Sequence, residues 1–248
     1  MRRVLLVSVI VVCSHIARPR RVPGLTSIAA RRDTTADLSL TIEALTRAMR
    51  ARDALLHEHA QRVQRYAVAL ARETGIADDP LLAALDTAAL LHDIGKLGIP
   101  DQLLQKPGPL TPDEYDQVKQ HVIIGADILA AVASPGLLAF TVRHHHENWD
   151  GTGYPDRLQG AAIPIAARVL AVVDCYDALT SDRPYRRALS HDAAAAMIHE
   201  RRGTMFDSEI AAAFLGIVQR LRSASAPERA DLARALAPAP CRLEARAR

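Results

Sequence analysis

Residues 78–96 read DDPLLAALDTAALLHDIGK, and this stretch decides the fold class. Asp79 followed by Pro80 is a helix start, because proline's fixed φ suits a first turn where its missing N–H is not needed. Leu81, Leu82, Leu85, Ala88, Ala89 and Leu91 then recur on one helical face. The apolar run leads straight into His92 and Asp93, and Gly95 is expected to end the helix. Burying an unpaired carboxylate after such a run is costly, and a cation would remove the cost. The segment therefore reads as a core helix that delivers an imidazole and a carboxylate to a metal.

The same composition continues on both sides. Of 248 residues, 49% are hydrophobic and only 4% aromatic, so the core is expected to be helices packed through Ala, Leu, Val and Ile. That is an all-α class. Helices are predicted over Asp37–Arg52, Asp53–Thr74 (stopping at Gly75) and from Asp78–Pro80 into His92–Asp93. A loop through Pro100 and Pro107 should follow. Thr111-Pro112-Asp113-Glu114 is a capping box that opens the helix carrying His121. Further helices are predicted over Leu137–Glu147, Pro164–Leu179, Asp192–Arg202, Asp207–Leu221 and Pro227–Leu236. The domain reading is a poorly ordered leader over 1–36, a catalytic domain over 37–222 and a C-terminal helix with an Arg-rich tail over 223–248.

A net charge of +3, with lysine only at 96, 106 and 119, and no basic block with interleaved aromatics argue against a nucleic-acid polymer as partner. Cys13, Cys175 and Cys241 share no metal-type spacing, and a reducing, cytoplasmic setting fits them. Residues 1–14 have a signal-peptide outline, a basic start and a short apolar run, which leaves membrane association or export as the alternative. Ten apolar residues cannot span a bilayer, which needs about 20.

Residues 143–155 read RHHHENWDGTGYP. Consecutive histidines are poor packing material, since their side chains diverge on any regular backbone, but neutral imidazole is a favoured ligand for Fe, Mn, Zn and Ni. Asp174 repeats the argument made for Asp93, because it is embedded in the apolar run around Val172, Val173 and Tyr176. Carboxylates and histidines each set into an apolar helix suggest one shared cation site.

HDIGK at 92–96, HHENWDGTGYP at 145–155 and DCYDALTSDRPYR at 174–186, with GTMFD at 203–207, resemble the HD-GYP family of HD-superfamily phosphohydrolases. The resemblance covers residues 53–214 and implies an HD-domain helical bundle with an extended GYP loop. It implies cyclic di-GMP as substrate and hydrolysis through a hydroxide bridging two metals, to pGpG and onward to GMP. The implied ligands are His59, His92, Asp93 and Asp174 for one metal and Asp93, His121, His145 and His146 for the other, with Asp93 shared. Some members hold a third metal with a Glu four residues before the first His; that position is Leu55 here, so two divalent ions are expected, Fe or Mn first and Zn or Ni as alternatives.

His92, Asp93 and Lys96 are the implied catalytic residues. Lys96, Arg183, Arg186 and Tyr154 are the implied substrate contacts. His144 and His57 are read as structural or solvent-facing. The GYP loop is also a candidate docking site for a protein partner, and the helix before Asp53 a candidate dimerisation element. Two alternatives stand beside the leading reading: an HD-type phosphohydrolase acting on another nucleotide or cyclic dinucleotide, and a catalytically degenerate partner-binding module.

Overall fold

The computed structural model describes residues 34–76, 79–132, 136–182 and 187–224. Among them are ten α-helices and no β-strand, so the all-α expectation holds. The terminal runs, the helix expected over 227–236, and Arg183 and Arg186 lie outside the described residues. No helix among the described residues is long and apolar enough to cross a membrane.

The centre of the bundle is α2 (Ala54–Glu73), packed against α3 (Asp79–Leu91) and α8 (Ile165–Thr180). The first of these starts where the Asp53 carboxylate accepts hydrogen bonds from the N–H groups of Leu55 and Leu56, and it stops at Thr74 and Gly75, the latter at φ +76. Leu70, Leu85, Leu91, Leu170, Val173, Tyr176 and Phe214 fill the core between these helices and α10 (Ser208–Ser223). Tyr66, Tyr176 and Phe214 meet edge to face there. Around this centre lie α1 (Thr34–Arg52), α4 (Asp101–Leu104) and α5 (Pro112–Lys119). The hairpin of α6 (His121–Ala130) and α7 (Leu137–His144), and then α9 (His191–Glu200), complete the bundle.

Several boundaries differ from the sequence expectation. The third helix ends at Leu91, not at Gly95, which sits inside a tight 3-10 turn over Ile94–Gly98. Gly95 is there because α6 presses on it: a Cβ would lie 1.9 Å from the His121 carbonyl oxygen and 2.5 Å from the Gly125 nitrogen. The helix expected to carry His121 is really α5 and α6, broken at Gln120. The loop expected through Pro100 contains α4. The helix expected over Leu137–Glu147 stops at His144, because the GTGYP segment folds back onto the next turn. A Cβ on Gly153 would lie 2.5 Å from Glu147 Cα, and Tyr154 N–H donates to the His146 carbonyl at 3.1 Å. The loop's start is tied down as well, Trp149 and Asp150 donating to the carbonyls of Met205 and Thr204.

Candidate metal centre

His92, His121 and His145 are held by one local device. Each donates its Nδ1–H to the carbonyl three residues earlier: Ala89 at 2.9 Å, Val118 at 2.8 Å and Val142 at 2.6 Å. The carbonyls belong to the last turn of a helix or its end, where intrahelical partners run out. Fixing Nδ1 as the donor fixes the tautomer and leaves Nε2 as a lone pair. All three Nε2 atoms are buried and have no hydrogen-bond partner in the structure. A buried polar atom without a partner costs roughly 1–3 kcal/mol, and three of them converging on one place fit a cation.

The donor atoms fall into two sets, each within 4.8 Å of one another: His59, His92 and Asp174, and His121, His145 and His146. Asp93 stands between the sets. Its Oδ2 lies 3.4 Å from Nε2 of His92, and its Oδ1 lies 3.6 Å from Nε2 of His121. The imidazole rings form a continuous chain, His59 to His92 to His145 and on to His121 and His146, with neighbouring centroids 4.0 to 5.6 Å apart. All seven residues singled out as ligands from the sequence are thus brought to one place, and the set could hold divalent metal ions.

Charge is partitioned across the centre. Burial would raise the pKa of Asp93, but the Lys96 ammonium 2.7 Å away outweighs it and holds the carboxylate well below its usual range. Asp174 is likewise held low against its burial, by its hydrogen bond with His59. Burial pushes His145 well below the ordinary histidine value, lowers His121, and brings His146 down to about 4. These shifts favour the neutral ring, the form a metal requires. For His59 burial also opposes charge, but hydrogen bonds to Asp174 and Asp177 prevail and raise its pKa to about 9.

Asp177 and Arg62 are the residues that sequence reading missed. His59 Nδ1 lies 2.7 Å from Asp177 Oδ2, so this ring is oriented by a carboxylate where the other three use carbonyls. Arg62 clamps the same carboxylate through Nε at 2.7 Å and an Nη atom at 3.0 Å. The signal was present: Asp174 and Asp177 lie three apart on α8, His59 and Arg62 three apart on α2, and those helices pack together.

Lys96 Nζ sits 2.7 Å from Asp93 Oδ2, so the lysine assigned to substrate is here an ion-pair partner of the central carboxylate. Arg52, at the end of α1, holds the lysine's turn in place by donating to the carbonyls of Lys96 and Ile99. Tyr154 tilts over His146 with centroids 5.1 Å apart. His144 is buried; it donates to the Phe140 carbonyl and meets Asp156 Oδ2 at 2.8 Å. Asp156 also accepts both prongs of Arg143, while Glu147 accepts the N–H groups of Asp156 and Leu158. These bonds bind the far end of the GYP loop to the histidine turn. Over the centre opens a cavity of about 1050 Å³, lined by His145, His146, Asp174, the loop from Gly151 to Pro155, and one face of α5.

A family model described as HD domain matches residues 43–210. The chain belongs to the HD domain family, and its motifs are of the HD-GYP type. A cyclic di-GMP phosphodiesterase of Vibrio cholerae is 40% identical over 201 residues, which make up 75% of this chain and 40% of that protein. The cyclic di-GMP phosphodiesterase response regulator RpfG of Xanthomonas campestris is 40% identical over 177 residues, 71% of this chain and 47% of that protein. The chain therefore matches less than half the length of either relative. Among solved structures, a cyclic GMP-AMP specific phosphodiesterase of V. cholerae superposes with a TM-score of 0.58 at 20% identity, covering 82% of this chain and 54% of that one. That likeness bears on the fold.

Proposed function

We propose that this chain is a metal-dependent phosphodiesterase that hydrolyses cyclic di-GMP. The observation that carries the reading is Asp93, set between two groups of imidazole and carboxylate donors beside an open cavity. His59, His92, Asp93 and Asp174 would hold one divalent ion, and Asp93, His121, His145 and His146 the other. Fe or Mn suits so mixed a donor set, and Zn or Ni would be accepted. When bound, such ions would lower the pKa of a coordinated water and offset charge on the attacking and leaving oxygens at phosphorus.

The chain's own residues supply the rest. The neutral rings of His145 and His146 and the charged Asp174 form the inner wall of the cavity where a phosphodiester would lie. Lys96, the ion-pair partner of Asp93, would also pair with a phosphate oxygen. Arg183 and Arg186 are proposed as further phosphate contacts. Tyr154 would hold the sugar or base beside His146. Addition of water across one P–O3′ bond opens the ring to linear pGpG, and a second hydrolysis gives GMP. The GYP loop and the exposed Leu40 face of α1 would be where a protein partner and a second copy dock, and a reducing cytoplasm would be the setting.

One alternative has a specific observation behind it. The V. cholerae structure that shares this fold is of a cyclic GMP-AMP specific enzyme, which makes a mixed cyclic dinucleotide the competing substrate. Incubating the Mn-loaded chain with cyclic di-GMP, cyclic GMP-AMP and cyclic di-AMP, and following products by chromatography, separates the readings. Rapid loss of cyclic di-GMP is expected; an intact cyclic di-GMP sample beside a consumed cyclic GMP-AMP one would overturn the assignment of substrate. A degenerate binding module would turn over none of them.

A further inference from the structure

The α5 side of the cavity carries a group of residues that the metal chemistry does not use. Tyr115, Asp116, Lys119 and Gln120 all line the cavity. Tyr115 stands edge-on to Tyr154 with ring centroids 6.5 Å apart, and Tyr154 in turn covers His146. The Lys119 ammonium lies 4.6 Å from the centre of the Tyr115 ring and 5.7 Å from that of Tyr154. It is also 2.6 Å from the Asp116 carboxylate.

Burial in the core does not account for this arrangement. Helix α5 has no buried residue, and Tyr115 is 47% exposed. The helix is held at its start, where Thr111 and Glu114 close a capping box and Lys106 pairs with Glu114 at 2.5 Å. Its inner face is left as a half-open aromatic surface with a paired cation and anion beside it, two ring spacings from His146.

We propose that Tyr115, Asp116 and Lys119 form a guanine-reading ledge for one base of the substrate. The inference rests on the cyclic-dinucleotide reading of the site. Tyr115 offers a face on which any base can stack. The charged pair makes the ledge selective. Guanine presents O6 beside N1–H and N2–H, so Lys119 donates to O6 while Asp116 accepts from the two N–H groups. Adenine reverses the pattern, turning an amino group toward the ammonium and a lone pair toward the carboxylate. A site built to hydrogen-bond one group rejects an analogue that leaves it unpaired.

The test uses the full chain loaded with Mn²⁺, with kcat and KM measured for cyclic di-GMP and cyclic di-AMP. Tyr115→Ala should raise KM for cyclic di-GMP about tenfold with kcat within about twofold, and Tyr115→Phe should restore it, since the ring and not the hydroxyl stacks. Asp116→Asn should reduce the preference in kcat/KM for cyclic di-GMP over cyclic di-AMP by about tenfold, and Lys119→Gln should do likewise. An active chain whose KM and base preference are unmoved by all these changes overturns the ledge while leaving the phosphodiesterase reading intact. A wild-type chain that consumes no cyclic dinucleotide overturns the underlying reading instead. Because α5 buries no side chain, circular dichroism and metal content of the variants should match the parent; a variant that keeps both but loses kcat rather than KM also counts against the ledge.

Discussion

His59 and Asp177 are joined across the α2–α8 interface by a 2.7 Å hydrogen bond, Nδ1 to Oδ2, and Arg62 grips the same carboxylate. His92, His121 and His145 are oriented by carbonyls three residues away, whereas this ring is oriented by a contact 118 residues away in sequence. Replacing Asp177 with Asn keeps an acceptor but removes the charge. Affinity for the ion at His59, His92 and Asp174 should fall by about 10–100-fold, the usual cost of losing such an outer partner. Calorimetric titration with Mn²⁺ should show one weakened step and one unchanged. Two unchanged steps would mean that the bond does not tune the ligand.

Gly95 makes a different kind of prediction. Gly95→Ala places a methyl 1.9 Å from the His121 carbonyl oxygen, and the three nearest atoms it meets are all backbone, so α6 must move as a unit. Forced overpacking costs about 1–3 kcal/mol, and here the shift also carries His121 away from Asp93. Thermal unfolding should show the destabilisation, and phosphodiesterase activity should drop by at least about tenfold, since small misplacements of reacting groups are expensive. Parent-like melting and turnover would contradict the close approach.

Asp156 links acid stability to the GYP loop. The Arg143 guanidinium, helped by His144, lowers its pKa to about 2 against the pull of partial burial. A carboxylate with a lowered folded pKa stabilises fully above its ordinary value near 3.8 and loses that contribution as pH falls toward about 2. Asp156→Asn should therefore cost about 1 kcal/mol at neutral pH, a modest figure because solvent screens the pair. The gap between variant and parent should close between pH 4 and about 2. Denaturant unfolding of the metal-free proteins across that range measures it, and a pH-independent gap would sink the account.

Much of this centre was legible in the chain because its signals are local. Thr111 and Glu114 announce a helix start, and Gly75 a helix end, through backbone chemistry that neighbouring residues settle. The histidines proposed as ligands stand out because they sit in motifs, and three of them are even oriented by carbonyls three residues away. What escaped depends on tertiary pairing. Asp177 looked like a second acid on an apolar helix until α2 was laid against it. Gly95 read as a helix stop, whereas its role is to let α6 approach. His145 and His146 were placed on a helix that in fact ends at His144, because the returning Gly153 was invisible to periodicity. Tyr115 and Lys119 look like an ordinary solvated face until Tyr154 is brought across from the GYP loop.

The central claim is that Asp93 sits between two metal ions. Anomalous X-ray scattering from crystals of the Mn-loaded chain tests it most directly. Two peaks are predicted, one among His59, His92 and Asp174 and one among His121, His145 and His146, with Asp93 reaching both. A single peak, or peaks that Asp93 does not touch, would contradict it.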